Sequence, residues 1–123
     1  MPRNNTPSLR SLKVQENLKR VISTALSSNQ VMFNVIGDIS LLVTEVRMSS
    51  DLKSAFIYVY PQTKEDVKDI IDLLNEFSWQ LNSYIGKATN LKYTPKLNFV
   101  YDDSFDKAER IEEVIKTSKK KDD

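Results

Sequence analysis

Asp102, Asp103 and Asp106 form the densest group of chemistry-bearing side chains in this sequence. Three carboxylates so close can hold a hard divalent cation and, through it, activate a water for hydrolysis. Their spacing departs from the calcium-loop pattern, which needs a glycine at its sharp turn. They stand just ahead of an apolar-periodic stretch, where acids stabilise the positive end of a helix. The spacing favours that role, and metal-assisted hydrolysis stays as a third and weakest reading. No other residue set supports an enzyme. Histidine is absent, which removes the usual base near neutral pH, the Ser-His-Asp relay and imidazole ligation. Cysteine is absent too, so neither thiolate chemistry nor a disulfide framework is available, and zinc is not expected. Gly37 and Gly86 are the only glycines, too few for a phosphate loop or a dinucleotide fingerprint. The sequence thus points to no cofactor, no metal, no small-molecule substrate and no catalysis.

Cations are the second chemistry on offer. The net charge of +1 conceals an uneven distribution: residues 1–30 sum to +4 and residues 79–101 to +3, while 61–78 and 102–118 each sum to −3. Such a chain is nearly neutral yet can present a positive face to a polyanion. Arg10, Lys13, Asn17, Arg20 and Thr24 recur at helical spacing and so share one stripe. Taken alone, a charged stripe is usually just a solvated face. The second basic segment, with Lys87, Lys92 and Lys96 and no acid, raises the case for phosphate binding if folding brings the two together.

These side chains need elements to position them, and 123 residues with 40% apolar and 28% charged content suit one soluble domain. Residues 1–8 read as a loose arm, 9–117 as the folded domain and 118–123 as a charged tail. No apolar run reaches the roughly 18 residues of a membrane span or has the look of a signal peptide, so a cytoplasmic location is expected. Ser8 or Ser11 can cap a first helix with Val14, Leu18, Val21, Ile22, Ala25 and Leu26 on its inner face. Ile39 to Met48 and Ser54 to Tyr60 read as an antiparallel hairpin around a turn fixed by Ser49 and Asp51, with Pro61 ending the second strand. Thr63 and Asp66 open a second long helix whose apolar stripe runs from Val67 through Ile70, Ile71, Leu74, Phe77 and Leu81 to Ile85. Pro95 starts a third strand through Tyr101. Ser104 caps a last helix with Phe105, Ala108, Ile111, Val114 and Ile115 expected to face inward. The fold class is α+β, with helices on one face of a small three-stranded sheet.

Two spaced signatures carry a family likeness. They are Ser49-Ser50-Asp51-Leu52-x-x-Ala55-x-x-Tyr58 and Leu91-Lys92-x-x-Pro95-x-Leu97-x-Phe99-x-x-Asp102-x-Ser104. In this order and spacing, over about residues 9 to 115, the chain resembles the ribosome-binding factor A family. The resemblance implies a KH-like domain of the second topological type, α-β-β-α(kink)α-β-α with a mixed sheet, in which a helix kink stands in place of the Gly-x-x-Gly clamp. No Gly-x-x-Gly occurs here. Many family members carry Ala-x-Gly at the kink; this chain has Phe77-Ser78-Trp79, which implies a milder break or one filled by aromatic rings. Trp79 follows either the commoner fate of large aromatics, which is burial, or meets a partner base.

The resemblance also implies a function. It implies a factor that associates with the small (30S) ribosomal subunit, assists its late maturation and ribosomal RNA processing near the decoding region, and supports growth in the cold; a monomer is expected. Arg10, Lys13, Arg20, Lys87, Lys92 and Lys96 are the expected phosphate contacts, with Asn17 and Trp79 beside them. The alternative is a protein-protein interaction module without RNA contact, held by the acidic segments 61–78 and 102–118.

Overall fold

The computed structural model describes residues 9–27, 32–63 and 65–121, so the arm 1–8, with Ser8, lies outside the described residues. Its elements are α1 (Leu9–Ser27), α2 (Phe33–Ile36), β1 (Leu41–Met48), β2 (Ser54–Pro61), α3 (Val67–Glu76), a 3-10 turn at Ser78–Leu81, α4 (Asn82–Ala88), β3 (Lys96–Tyr101) and α5 (Ser104–Lys121). The sheet order is β1-β2-β3, antiparallel between β1 and β2 and parallel between β2 and β3. A parallel neighbour requires a crossover, and α3, the 3-10 turn and α4 supply it.

Strand alternation decides which face is covered. Ala55, Ile57 and Val59 of the central strand are fully buried, as are Leu18, Ile22, Leu74, Leu81 and Ile85 on the helices above them. Each of these valine, leucine and isoleucine side chains contributes roughly 1.5–3 kcal/mol by leaving water, and the Ala55 methyl under about 1 kcal/mol. Leu42 and Phe56 lie substantially exposed, Phe56 between buried Ala55 and Ile57 on β2, as expected where helices cover one face of a sheet. The β1–β2 register shifts between Val43 and Glu45, a local irregularity in the pairing. The hairpin turn is held as its residue types suggest: the Ser49 hydroxyl donates to Asp51 Oδ1 at 2.7 Å, and the same oxygen accepts from the Lys53 N–H at 3.0 Å. Leu52 takes a left-handed φ of 61° inside that turn. Asn75 ties α3 to β3 through both groups of its amide, donating to the Phe99 carbonyl at 3.0 Å and accepting from the Phe99 N–H at 2.6 Å. It satisfies backbone groups on an edge strand much as another strand would.

At four points the structure departs from the sequence reading. Thr63 does not cap α3: its hydroxyl accepts from the Glu65 N–H at 3.2 Å, and the helix opens at Val67 after a left-handed Asp66 that makes no side-chain cap bond. Ser104 is the first residue of α5 rather than its cap, because the Asp102 carboxylate takes the Ser104 N–H at 2.9 Å. The short helix α2, absent from the sequence reading, is followed by Gly37 at φ +72°, the left-handed residue that commonly ends helices.

The fourth concerns α5, whose apolar positions point outward. Ile111 and Val114 are each 60% exposed, and Ala108, Phe105 and Ile115 are exposed as well. The physical reason is space: α1, α3 and α4 already cover the core face of the sheet. α5 is anchored near its start, where the Phe105 ring lies 4.8 Å from that of Tyr60 and Asp106 accepts from the hydroxyls of Tyr60 and Tyr101. It runs to Lys121, through residues the sequence assigned to the tail. Replacing Ile111 or Val114 by serine is therefore expected to change stability by less than about 0.5 kcal/mol. Phe105→Ala, which removes the ring packed on Tyr60, should cost about 1 kcal/mol, and urea denaturation of the three variants separates the two cases.

Candidate nucleic-acid interface

The basic stripe of α1 meets the acid-free segment. Arg10, Lys13, Val14 and Asn17 line one wall of a groove of about 270 Å³, and Thr89, Asn90 and Leu91, after α4, line the other. α1 can run beside this segment because its buried Leu18, Val21 and Ile22 hold it on the sheet and the Met48 N–H donates to Gln15 Oε1 at 2.8 Å. α4 ends at Ala88, where Thr89 turns to extended backbone and closes its own loop by donating from its hydroxyl to the Ile85 carbonyl at 2.8 Å. Val14, assigned to the core by its periodicity, is half-buried and serves as an apolar wall of this groove.

A second, larger groove of about 670 Å³ also has Arg10 on its lining. There Lys53 arrives from the hairpin turn, and Lys92 and Tyr93 from the strand approach. The Lys96 N–H donates to the Lys53 carbonyl at 2.8 Å, which fixes the turn beside the start of β3. Arg10, Lys13, Asn17 and Lys92 are thus gathered along two grooves that share Arg10. Lys87, Lys96 and Arg20 are exposed but line neither groove; Arg20 donates to Asn17 Oδ1 at 2.5 Å, one turn beyond it.

Trp79 does not follow the commoner fate. It is 61% exposed on the 3-10 turn and lines neither groove, while Phe77 packs against the core at the break. The kink is real: α3 ends at Glu76, Phe77 takes φ −107°, and four residues of tighter helix intervene before α4. The aromatic packed on the core at the break is Phe77, while Trp79, which helical spacing already places off the apolar stripe, stays outward.

Sequence reasoning missed Lys53 and undervalued Tyr93. Lys53 lies in a turn whose geometry Ser49 and Asp51 account for, and Tyr93 is one of five tyrosines. Their signal was position: Lys53 immediately precedes β2, and Tyr93 stands three residues ahead of β3 in an acid-free stretch.

The carboxylates are engaged elsewhere. Asp102 accepts from the Thr44 hydroxyl and from Ser104, and the Ser104 and Thr44 hydrogen bonds hold its carboxyl below the usual range. Asp103 pairs with Lys107 at 3.5 Å. Asp106 accepts from Tyr101, a bond that together with burial pushes the Tyr101 phenol well above its ordinary value. Among the described residues no group of three acids converges on a point where a metal could sit.

An α+β domain with a helix break in place of a glycine clamp, an N-terminal basic helix and grooves lined by cations belongs to the KH-like class. The family model for ribosome-binding factor A matches residues 10–115, and the chain belongs to that family. The ribosome-binding factor A of Nitrobacter winogradskyi is 40% identical, over 95% of this chain and 90% of that protein. That of Rhodopseudomonas palustris strain HaA2 is 37% identical over 95% and 90%. The crystal structure of ribosome-binding factor A from Thermus thermophilus superposes with a TM-score of 0.60 at 19% identity, covering 74% of this chain and 94% of that one, which supports the fold.

Proposed function

We propose that this chain binds the small ribosomal subunit through ribosomal RNA and assists its late maturation near the decoding region, acting as a cytoplasmic monomer without a cofactor. The observation that carries this reading is the groove in which Arg10, Lys13 and Asn17 face the acid-free Thr89–Leu91 segment, in a chain of a ribosome-binding family. Cations along a groove grip a phosphate backbone and set its path without reading sequence. A factor of this kind acts by stabilising one arrangement of the RNA over others, an effect limited by its differential affinity for the two.

Co-sedimentation with isolated small subunits, large subunits and complete ribosomes across a salt series tests it. Selective pelleting with the small subunit is expected, with affinity falling at about 0.7–0.9 logarithmic units per decade of salt for each phosphate contacted. A module bound through an apolar protein interface would show a shallow salt response. The exposed stripe of α5 among Glu109, Glu112 and Glu113 is the feature that favours this second reading. Salt-insensitive binding would set the RNA reading aside, and pelleting with the large subunit alone would set aside the small subunit as the partner.

A further inference from the structure

The larger groove offers more than charge. It lies between the hairpin turn, which contributes Asp51, Leu52 and Lys53, and the strand approach, which contributes Leu91, Lys92, Tyr93 and Thr94, with Arg10 of α1 joining them. Its volume of about 670 Å³ falls within the range of small-ligand pockets, roughly 300–1,000 Å³. The Tyr93 ring is 75% exposed, and the Lys92 ammonium stands over it at 5.5 Å from the centroid. A large aromatic held this far from the core contributes little to folding, whereas a ring with cations around it is a stacking platform for a nucleobase. The one carboxylate on the lining, Asp51, uses its Oδ1 on the Ser49 hydroxyl and the Lys53 N–H, so it braces the turn that carries Lys53.

We propose that this groove takes one unpaired RNA nucleotide, with its base stacked on Tyr93 against the apolar Leu52 and Leu91 and its phosphates held by Arg10, Lys53 and Lys92. The inference rests on the RNA reading above and adds a preference for single strands. A base still paired in a duplex cannot leave its stack to enter a recess between two loops, while a base in a loop or junction can. Stacking tolerates any base, and the larger purines gain most from it. The smaller groove, continuous with this one through Arg10, then carries the neighbouring phosphates past Lys13.

The test uses the full chain and a ten-nucleotide single-stranded RNA with 2-aminopurine at its centre, whose fluorescence is quenched by stacking. Wild-type protein is expected to quench the probe on binding. Tyr93→Leu should abolish the quench and weaken binding about tenfold, the scale of one base-aromatic contact, with an unchanged melting temperature. Tyr93→Phe should keep both. A duplex of the same sequence should bind wild type and Tyr93→Leu equally. Lys13→Glu, outside this groove, separates the two levels of inference. Loss of binding in Lys13→Glu with wild-type binding and quench in Tyr93→Leu overturns the nucleotide pocket and leaves the RNA face standing. Failure of the wild-type chain to bind either RNA or the small subunit overturns both.

Discussion

Reversing Arg10 and Lys13 to glutamate is expected to abolish co-sedimentation with small subunits while leaving the fold unchanged. Both side chains are exposed on α1 and line the same groove, so neither carries core packing. Each reversal removes a cation that would neutralise a phosphate and puts a like charge in its place. Two such changes in one groove should weaken binding by about a hundredfold or more at roughly 0.15 M salt, with a smaller deficit at higher salt, where screening weakens attraction and repulsion alike. Stability should stay within about 0.5 kcal/mol of the parent, since surface substitutions away from packing and caps seldom do more. Arg20→Glu is expected to add little. Arg20 stands ten residues along α1 from Arg10, about 15 Å on a helix, and its guanidinium is already hydrogen-bonded to Asn17. A double variant that pellets with subunits as the parent does would remove this face from the binding site.

The contrast between Arg10 and Arg20 marks how far the sequence could be read. Periodicity placed both on one stripe of one helix, and that much holds. It could not say where along the stripe a second wall would rise, because six elements intervene in the chain between α1 and the Thr89–Leu91 segment. The same limit explains α5. An apolar stripe of Phe105, Ile111, Val114 and Ile115 signals amphipathicity, yet the pattern is silent on whether a surface is left for it to cover, and α1, α3 and α4 had already taken the core face. The strands were more legible. Ser49 and Asp51 announce a turn through their own side-chain bonds, and Pro95 sets the entry to β3, so local chemistry alone defined the hairpin and the third strand. Capping fell between the two. Ser104 is the first residue of α5 and donates its own N–H to the Asp102 carboxylate two residues upstream, an offset that propensity does not set.

Leu81→Ala is expected to be the costliest single substitution at the helix break, and Trp79→Ala, two residues away, nearly silent. Leu81 ends the 3-10 turn and is fully buried, with Leu74 of α3 and Ile85 of α4 in the same core cluster. It is the side chain through which the broken helix rejoins the core. Deleting its branched end leaves a cavity that the surrounding strands cannot close, at about 3 kcal/mol. On a domain of about 100 residues, that is a fall in melting temperature of about 15 °C. Trp79 lies mostly in solvent, so its loss should move the melting temperature by no more than about 2 °C. The break also sets the direction of α4, which delivers Thr89 to Leu91 to the groove opposite Arg10 and Lys13. Leu81→Ala should therefore weaken small-subunit binding even at temperatures where the chain stays folded, because α4 is then held to the core by Ile85 without the buried residue that precedes it, and its direction is less firmly set. Thermal melts of both variants, paired with sedimentation in the cold, measure the two effects separately. Equal melting temperatures for the two variants would mean that the helix break is held by something other than Leu81.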